Sequence, residues 1–260
     1  MDQPIIFEKI GTIGKITLNR PDKYNSFTRE LALRFQESLE TCKEDDEIRA
    51  IYITGAGKAF CAGQDLGEVT RAEDAPSLST IICEHLNPIV SLIREIEKPV
   101  VCAVNGVAAG AGANLALACD ITVASEKASF IQAFSKIGLI PDTGGTFFLP
   151  RLIGMQKATA YMMLGEKISA QEAERVGMIY QCLEASTFVE TSWKLAEKLA
   201  AMPTKGLGYT KRALNQALGN DLDRQLAIEE QIQSSAGMTE DYKEGVQAFL
   251  EKRKPVFKGK

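Results

Sequence analysis

A run of small residues in the middle of the chain has the composition of a site that binds an anion through its backbone. Gly106 and the stretch 108–112 (Ala-Ala-Gly-Ala-Gly) follow the apolar segment Val100–Val104 and precede Ala113–Ala118, which contains no β-branched residue. This pattern predicts a buried strand, a tight turn and a helix. Small side chains let a ligand approach the backbone where the first N–H groups of a helix are unpaired. The turn could therefore stabilise a developing negative charge, as an oxyanion hole does.

A second small-residue loop and a carboxylate accompany this run. Residues 55–66 are again rich in glycine and alanine, and they follow the strand-like segment Ile48–Thr54. Asp142, which precedes two glycines, supplies a group that can move a proton. The alternative is that Asp142 only supports a turn beside these glycines. Glu68 and Glu73 are then the other candidate bases.

Other chemistries fit the chain less well. Residues 106–112 do not match G-x-G-x-x-G, and Gly55–Lys58 lacks the spacing and the Ser/Thr of a P-loop, so neither predicts nucleotide binding. His85 is the only histidine and there is no G-x-S-x-G, which disfavours a Ser-His-Asp triad and excludes a zinc site built on histidines. We expect His85 to be a partly exposed helix residue, no metal to bind, and the six cysteines to be small buried thiols.

The overall composition is that of an ordinary folded chain. The 260 residues are 45% hydrophobic and 25% charged, with a net charge of -4 and a pI of about 5.3. These values predict no attraction to nucleic acid or to an anionic membrane, and no segment approaches the roughly 18 apolar residues that span a bilayer. The start of the chain has neither the basic nor the apolar region of an export signal. We therefore expect a cytoplasmic enzyme or binding protein.

The elements that must position these residues alternate along the first two thirds of the chain. Ile5–Ile10 and Lys15–Asn19 predict a hairpin, and Thr28–Lys43 predicts a helix with Thr28 as its N-cap. Strands that alternate with helices indicate an α/β fold with a mostly parallel sheet. The polar stretch Gly67–Pro76 predicts a mobile flap, and Ile81–Ile96 predicts a helix that leads into the next strand.

The last third of the chain predicts only helices. We therefore divide the chain into an α/β core, residues 1–185, that contains the site, and a helical oligomerisation region, residues 186–260. The last ten residues contain five cations, which form either a solvated end or a contact to phosphate groups.

Several motifs occur in the order that is typical of one protein family. They are Asn19–Pro21 with Asn25 beyond it, Gly57–Asp65 (GKAFCAGQD), Lys98–Pro99 leading to Asn105–Gly106 and Asp120, and Ile140–Gly145 (IPDTGG). Together they resemble the enoyl-CoA hydratase/isomerase family, the crotonases, over nearly the whole chain. The resemblance implies a crotonase-like spiral of ββα units with a helical C-terminal trimerisation region, assembled as a homotrimer or a dimer of trimers. It also implies an acyl-CoA thioester substrate and no cofactor, since coenzyme A is part of the substrate.

The resemblance also implies which residues form the site. The family's oxyanion hole consists of two backbone N–H groups, which the motifs place at Gln64 and Ala111. Two fixed donors aimed at an enolate oxygen can lower a barrier by several kcal/mol. Contacts to CoA or substrate are implied for Lys23, Ala62, Asp65, Leu66, Gly110, Phe249 and Lys258.

The chain departs from the hydratase pattern at both acidic positions. Where hydratases of the family carry glutamates, this chain has Asn114 and Phe134. Adding water needs groups that hold and activate it, so simple hydration is disfavoured. Asp142 occupies the position where isomerases and some dehalogenases of the family carry a carboxylate. We expect the apolar neighbours Phe134, Ile140 and Phe147 to raise its pKa.

Within the family, segments 105–112, 132–142 and 251–260 are most similar to members that act in phenylacetate catabolism. Those members rearrange a 1,2-epoxide of phenylacetyl-CoA to a seven-membered oxepin-CoA. The resemblance implies this activity, a shift of a 3,4 double bond to the 2,3 position, or both. The alternative is a generic Δ3-Δ2 enoyl-CoA or dienoyl-CoA isomerase of fatty-acid oxidation. A non-catalytic scaffold that binds CoA or RNA is a further alternative, although the chain has no basic stripe with interleaved aromatics.

Overall fold

Two sheets form the scaffold in the computed structural model, which describes residues 3–70 and 76–260. The strands are β1 (Ile5–Ile10), β2 (Ile13–Leu18), β3 (Ala50–Gly55), β4 (Ala59–Cys61), β5 (Val100–Val104), β6 (Val107–Ala109), β7 (Ile121–Ser125), β8 (Ser129–Ile131), β9 (Lys167–Ser169) and β10 (Gln181–Leu183). The larger sheet has the order β1-β2-β3-β5-β7-β10, and the smaller one has the order β4-β6-β8-β9. All neighbours pair in parallel except β1 with β2 and β9 with β8.

Successive strands are shared between the two sheets. β3, β5 and β7 join the larger sheet, and the strand that follows each of them, β4, β6 or β8, joins the smaller one. A helical segment comes next in each case. This alternation is the expected spiral of ββα units, and it brings the two small-residue loops side by side, because β4 and β6 are paired neighbours.

Helices cover the sheets and make up the end of the chain. They are α1 (Arg29–Glu44), α2 (Leu66–Thr70), α3 (Leu78–Thr80), α4 (Asn87–Glu95), α5 (Ala111–Ala118), α6 (Gly145–Ile153), α7 (Met155–Leu164), α8 (Ala170–Arg175), α9 (Phe188–Ala200), α10 (Thr204–Ala217), α11 (Leu222–Gly237) and α12 (Glu240–Leu250). Short 3-10 turns cover Pro21–Lys23 and Ala133–Ile137, and a π-helical turn, Ile81–Leu86, joins α3 to α4. The predicted cap of α1 is confirmed, since the Thr28 hydroxyl accepts a hydrogen bond from the Leu31 N–H.

The apolar composition around the middle run is explained by burial on every side. All five residues of β5 are buried, and their side chains alternate between two hydrophobic cores on opposite faces of the larger sheet. Every residue of α5 is also buried. The prediction of a simple turn between them is incomplete, because this segment contains the short strand β6, which pairs with β4 and β8 in the smaller sheet.

The segment after the first loop differs from its prediction. Residues 67–70 of the expected flap belong to α2, and residues 71–75 lie outside the described residues, as does the candidate base Glu73. The prediction of a partly exposed His85 is wrong, because only 2% of this residue is exposed. His85 lies four residues after Ile81 and shares its buried side of the π-helical turn, in which the Asn87 N–H bonds to the Ile82 carbonyl.

Two further expectations need correction. The sequence also predicts a strand at Met178–Leu183, but the strand is confined to β10, because the N–H groups of Met178 and Ile179 both bond to the Ala173 carbonyl in α8. Of the six cysteines, Cys83 is exposed and Cys182 half-buried, while the other four are buried.

The secondary-structure elements of the C-terminal region, α9 to α12, are all helices, as predicted, and residues 251–260 follow them as a non-helical tail. The first of these helices, α9, packs on the larger sheet and shares a core with Tyr52, Val101 and Val123. The division at residue 185 stays a prediction.

Candidate active site

The backbone N–H of Gln64 faces away from the strand segment that holds its loop. Phe27 donates its N–H to the Gly63 carbonyl at 2.7 Å and accepts from the Asp65 N–H at 2.9 Å, which is the pattern of a parallel bridge between Phe27 and Gln64. In such a bridge the N–H of the residue between the two bonded ones points to the opposite side. The Gln64 side chain is used elsewhere, since it donates to Glu68.

The backbone N–H of Ala111 lies at the start of α5. Gly110, the residue before it, has φ 52° and ψ -127°, a conformation that only glycine adopts readily. Gly110 donates its own N–H to the Ile131 carbonyl. As the first residue of the helix, Ala111 has an N–H without an intrahelical acceptor, at the positive end of the helix dipole.

The two loops approach each other closely at Gly63. A Cβ on Gly63 would lie 2.9 Å from the Ala109 carbonyl oxygen and 3.4 Å from the Ala111 nitrogen, and its φ is +90°. Only glycine allows this approach. We call Gly63, Gln64, Gly110 and Ala111 the glycine platform. Within it, the N–H groups of Gln64 and Ala111 form a pair of backbone donors suited to one oxyanion.

Asp142 lies one helical turn along α5 from the glycine platform. Its carbonyl accepts hydrogen bonds from the Asn114 side chain at 2.8 Å and from the Gly145 N–H at 2.9 Å. Asn114 is three residues after Ala111, about 4.5 Å along the helix axis. We call residues 140–145 the Asp142 turn. The fold therefore brings the predicted base and the predicted oxyanion donors together.

Two side chains that the sequence analysis did not single out hold this arrangement. Gln132 donates to the Asn114 Oδ1 at 2.8 Å, and the Thr143 hydroxyl donates to the Asp142 Oδ1 at 2.8 Å. Gln132 and Asn114 are fully buried. The available sequence signal was position alone: Thr143 follows the aspartate directly, and Gln132 follows the strand whose last carbonyl binds Gly110.

Burial raises the pKa of Asp142 above its usual value, and the hydrogen bond from Thr143 opposes this effect. The predicted direction is confirmed, but the predicted enclosure is partly wrong. Phe134 is buried, and its ring lies 3.7 Å from where a Cβ on Gly110 would stand. Ile140 is 81% exposed and Phe147 is 39% exposed, so neither encloses the carboxylate within one chain.

The other candidate base on the first loop, Glu68, is engaged in local contacts. Both of its carboxylate oxygens accept the N–H of Arg29 at the start of α1, and one of them also accepts the Gln64 side chain. This is how an acid caps a helix N-terminus. The geometry favours Asp142 as the base.

Some of the residues assigned to CoA lie together at one rim of the platform. Ala62, which is exposed, donates its N–H to the Tyr24 carbonyl, so the turn that carries the exposed Lys23 lies beside it. Leu66 is 52% exposed at the start of α2. Asp65 has other partners: its two oxygens bind Arg20 at 3.0 Å and the Gly67 N–H at 3.0 Å. Burial disfavours its charged form, but these partners hold the pKa of Asp65 below its usual value.

Phe249 and Lys258 lie at the C-terminal end of the fold. Phe249 is 83% exposed on α12, and Lys258 is exposed in the tail. The buried carboxylate of Asp241 accepts the N–H groups of Lys258 at 2.6 Å and of Gly259 at 2.8 Å, and Arg49 donates to the Phe257 carbonyl. The tail is therefore not a free solvated end, because its backbone is fixed while the Lys258 side chain projects from it.

Residues 3–70 and 76–260 contain neither a candidate metal site nor a candidate membrane span. No cluster of three or more His, Cys, Asp or Glu side chains has the arrangement of a metal site. No helix in these ranges is both long enough and apolar enough to cross a membrane.

With this geometry in place, comparisons with known proteins identify the family. The family model for enoyl-CoA hydratase/isomerase matches residues 8–260. The chain belongs to the enoyl-CoA hydratase/isomerase family. It is 49% identical to the 1,2-epoxyphenylacetyl-CoA isomerase of Escherichia coli K12 over 247 residues, 94% of each chain. It is 44% identical to a protein of Rhodobacter capsulatus named as a probable enoyl-CoA hydratase, over 98% of each chain.

The fold agrees with this family. The crystal structure of an enoyl-CoA hydratase from Bacillus anthracis is similar with a TM-score of 0.94 at 34% identity, covering 99% of this chain and 100% of the other. The predicted crotonase-like α/β fold is thus confirmed. The protein is an enzyme of the class that isomerises or hydrates CoA thioesters.

Proposed function

We propose that this enzyme isomerises acyl-CoA thioesters, with Asp142 moving a proton and the glycine platform stabilising the enolate. The observation that carries the proposal is the position of Asp142, a half-buried acid whose backbone is bound to Asn114, one helical turn along α5 from the N–H of Ala111 and beside the loop of Gln64. Its substrate is 1,2-epoxyphenylacetyl-CoA, which it converts to oxepin-CoA. It also shifts a 3,4 double bond of an acyl-CoA to the 2,3 position. The 49% identity to an isomerase of that name supports the choice of the aromatic substrate.

The proposed chemistry needs only one acid–base group. The thioester oxygen accepts hydrogen bonds from the N–H groups of Gln64 and Ala111, and Asp142 removes a proton from the carbon next to the thioester. The electron pair moves onto the thioester oxygen as an enolate. Asp142 then returns the proton further along the conjugated system. In the epoxide substrate, the C–C bond between the two epoxide carbons breaks in the same rearrangement, so that the oxygen becomes a member of the seven-membered ring. Because substrate and product are isomers, the reaction consumes no water and needs no cofactor besides the CoA of the substrate.

Hydration is disfavoured by the contacts of the two residues at the hydratase positions. Asn114 is held between Gln132 and the Asp142 carbonyl, and Phe134 is packed beside Gly110. Neither residue can activate water. The second candidate function is a generic Δ3-Δ2 or dienoyl-CoA isomerase, which the same site chemistry supports.

The test is a substrate panel of epoxyphenylacetyl-CoA, a 3-enoyl-CoA, a 2-enoyl-CoA and an aryl-CoA halide, separated by chromatography with mass detection. An isomer changes its retention but keeps its mass, whereas a hydrate gains the mass of water and a dehalogenated product loses the halogen. We expect isomerisation of the first two compounds. Asp142→Asn should lower this turnover by a factor on the order of 100 or more, with binding of the substrate unchanged. Efficient hydration by the parent enzyme would contradict the proposal.

We further propose that CoA binds across a subunit interface of a homotrimer or a dimer of trimers. The apolar side chains Tyr242, Val246 and Phe249 on α12 are 55%, 44% and 83% exposed, which is unusual for a face without a partner. Phe249→Asp should dissociate the oligomer in sedimentation and weaken CoA-thioester binding. An intact oligomer with unchanged affinity would show that Phe249 is a surface residue only.

A further inference from the structure

Thr143 has a backbone conformation that its residue type disfavours. Its φ is +52°, in the left-handed region, and only 3% of the residue is exposed. A β-branched residue with positive φ is a genuine outlier, and such outliers cluster at functional sites. The next two residues are glycines, the type that this region favours. A threonine therefore occupies a position that a turn alone would give to glycine.

The contact that this conformation makes is to the carboxylate of Asp142. The Thr143 hydroxyl donates to Oδ1 at 2.8 Å. The backbone of the aspartate is held independently, because its carbonyl accepts from Asn114 and Gly145. The two bonds to the carbonyl fix the position of the Asp142 backbone, and the Thr143 hydroxyl fixes the orientation of the carboxylate.

Within residues 3–70 and 76–260, the side chains packed around the Asp142 turn bring no opposite charge to the carboxylate that could keep it ionised. Arg94, which lies 5.9 Å from the centroid of the Phe148 ring, is bound to Asp120 and Asn215. α5 contains no charged residue, and Phe148 of α6 packs on Gly144. On the segments before and after the turn, the charged residues are Lys136, which is exposed, and Arg151, which stacks over the ring of Phe147 at 3.8 Å. On the first loop, Glu68 is bound to Arg29 and Gln64. Among the residues that the structure describes, the hydroxyl of Thr143 is thus the side-chain group that favours the charged form of this half-buried base, in agreement with its lowering effect on the pKa of Asp142.

We propose that Thr143 is a positioning residue of this enzyme, whose hydroxyl orients the Asp142 carboxylate and keeps it ionised for proton removal. This inference rests on the proposed role of Asp142 as the base. The strain of the left-handed conformation is the cost of placing that hydroxyl next to the carboxylate.

Two variants separate the effect of the Thr143 hydroxyl from the effect of its branched Cβ in the left-handed conformation. Thr143→Ser and Thr143→Ala are both unbranched at Cβ and differ by a single oxygen atom. The measurement is the pH profile of kcat/KM, with kcat and KM resolved. For Thr143→Ala we expect kcat/KM to fall about tenfold on the acid side and no more than about threefold on the alkaline plateau, with KM nearly constant, because the base must lose its proton without help. Thr143→Ser should restore the parent profile.

A parent-like profile for Thr143→Ala would overturn the inference, and so would equal changes in Ser and Ala, since these would reflect the branched side chain and not the hydroxyl. A direct titration of the Asp142 carboxyl by ¹³C NMR, assigned with Asp142→Asn, keeps the two proposals apart. If Asp142→Asn retains turnover, the proposed function fails. The NMR titration then still decides the inference: a higher pKa of Asp142 in Thr143→Ala supports it, and an unchanged one overturns it.

Discussion

The glycine platform and the Asp142 turn lie within one helical turn of each other, yet different kinds of contact hold them. The platform consists of backbone groups, and its geometry depends on the absence of side chains, as the close approach of Gly63 to Ala109 and Ala111 demonstrates. The Gln64 side chain points to Glu68 and takes no part. The two donors depend on the path of the backbone. We therefore expect the platform to tolerate most side-chain substitutions, but not the addition of a Cβ at Gly63.

The Asp142 turn depends on side chains instead. Asn114 holds its carbonyl, Gln132 orients Asn114, and Thr143 holds the carboxylate. The first two contacts join residues that are 28 and 18 positions apart in the chain, whereas Thr143 is adjacent to Asp142. Removing one of these side chains should reduce function only in part, because other contacts of the turn remain. The following predictions test this difference between the two regions.

The largest effect should come from closing the gap between the loops. Gly63→Ala places a Cβ 2.9 Å from the Ala109 carbonyl and forces a non-glycine residue to φ +90°, so the Gln64 donor must move. Loss of one oxyanion donor typically lowers kcat by about 100- to 1,000-fold. We expect a fall of this size in isomerase assays.

The matched control is Gln64→Ala, which removes the side chain next to Gly63 but keeps the N–H. Its kcat should stay within about threefold of the parent, since a surface contact to Glu68 is all that it loses. Circular dichroism should show both variants folded. If the two variants lose the same activity, the side chain of Gln64 matters and the backbone account of the platform is wrong.

A smaller effect is expected from removing the hydrogen bond between the Asn114 side chain and the Asp142 carbonyl. Asn114→Ala frees the Asp142 carbonyl and leaves the buried Gln132 amide without its partner. Losing a partner of a buried polar group costs about 1–3 kcal/mol of unfolding free energy. Turnover should fall roughly tenfold, because a displaced catalytic group loses its alignment.

Gln132→Ala is the matched control for Asn114→Ala. It should destabilise the fold to a similar degree in urea unfolding, but it leaves the Asn114–Asp142 bond in place, so turnover should fall only about two- to threefold. Equal losses of turnover in the two variants would mean that stability, and not the position of Asp142, limits the activity.

The smallest effect concerns the stability cost of the base itself. Burial raises the pKa of Asp142 above that of an unfolded aspartate, so the folded protein binds the proton more tightly than the unfolded chain. Stability is therefore greatest below the unfolded pKa of about 3.9 and falls as the pH rises through the folded pKa. Asp142→Asn cannot ionise and still accepts the Thr143 hydroxyl.

Near pH 7 the free energy of unfolding of this variant should be about 1 kcal/mol higher than that of the parent, because the variant does not have to keep a charged carboxylate partly buried. The difference should shrink toward pH 3 in denaturant titrations at several pH values. A difference that instead grows as the pH falls would show that ionisation of Asp142 stabilises the fold.

The contrast between the two regions also explains what the sequence could reveal. Glycine runs, the flanking apolar segments and the aspartate before two glycines are local features, so the two small-residue loops and the candidate base Asp142 could be predicted from them. The choice of Gln64 and Ala111 as donors came from the resemblance to the family. Thr143 and Gln132 act through contacts that exist only after folding. The expectations for His85 and Ile140 were wrong for the same reason, since the burial of the first and the exposure of the second depend on how the chain packs around them.

The most direct test of the account is hydrogen–deuterium exchange at the carbon next to the thioester. Phenylacetyl-CoA, which has no epoxide to open, can be incubated with the enzyme in D₂O and followed by NMR, so that only the first proton transfer is observed. We predict rapid exchange with the parent enzyme, a smaller rate with Thr143→Ala, and a rate lower by a factor on the order of 100 or more with Asp142→Asn and with Gly63→Ala. Exchange at the parent rate by Asp142→Asn would contradict the account, because the proton would then be removed by another group.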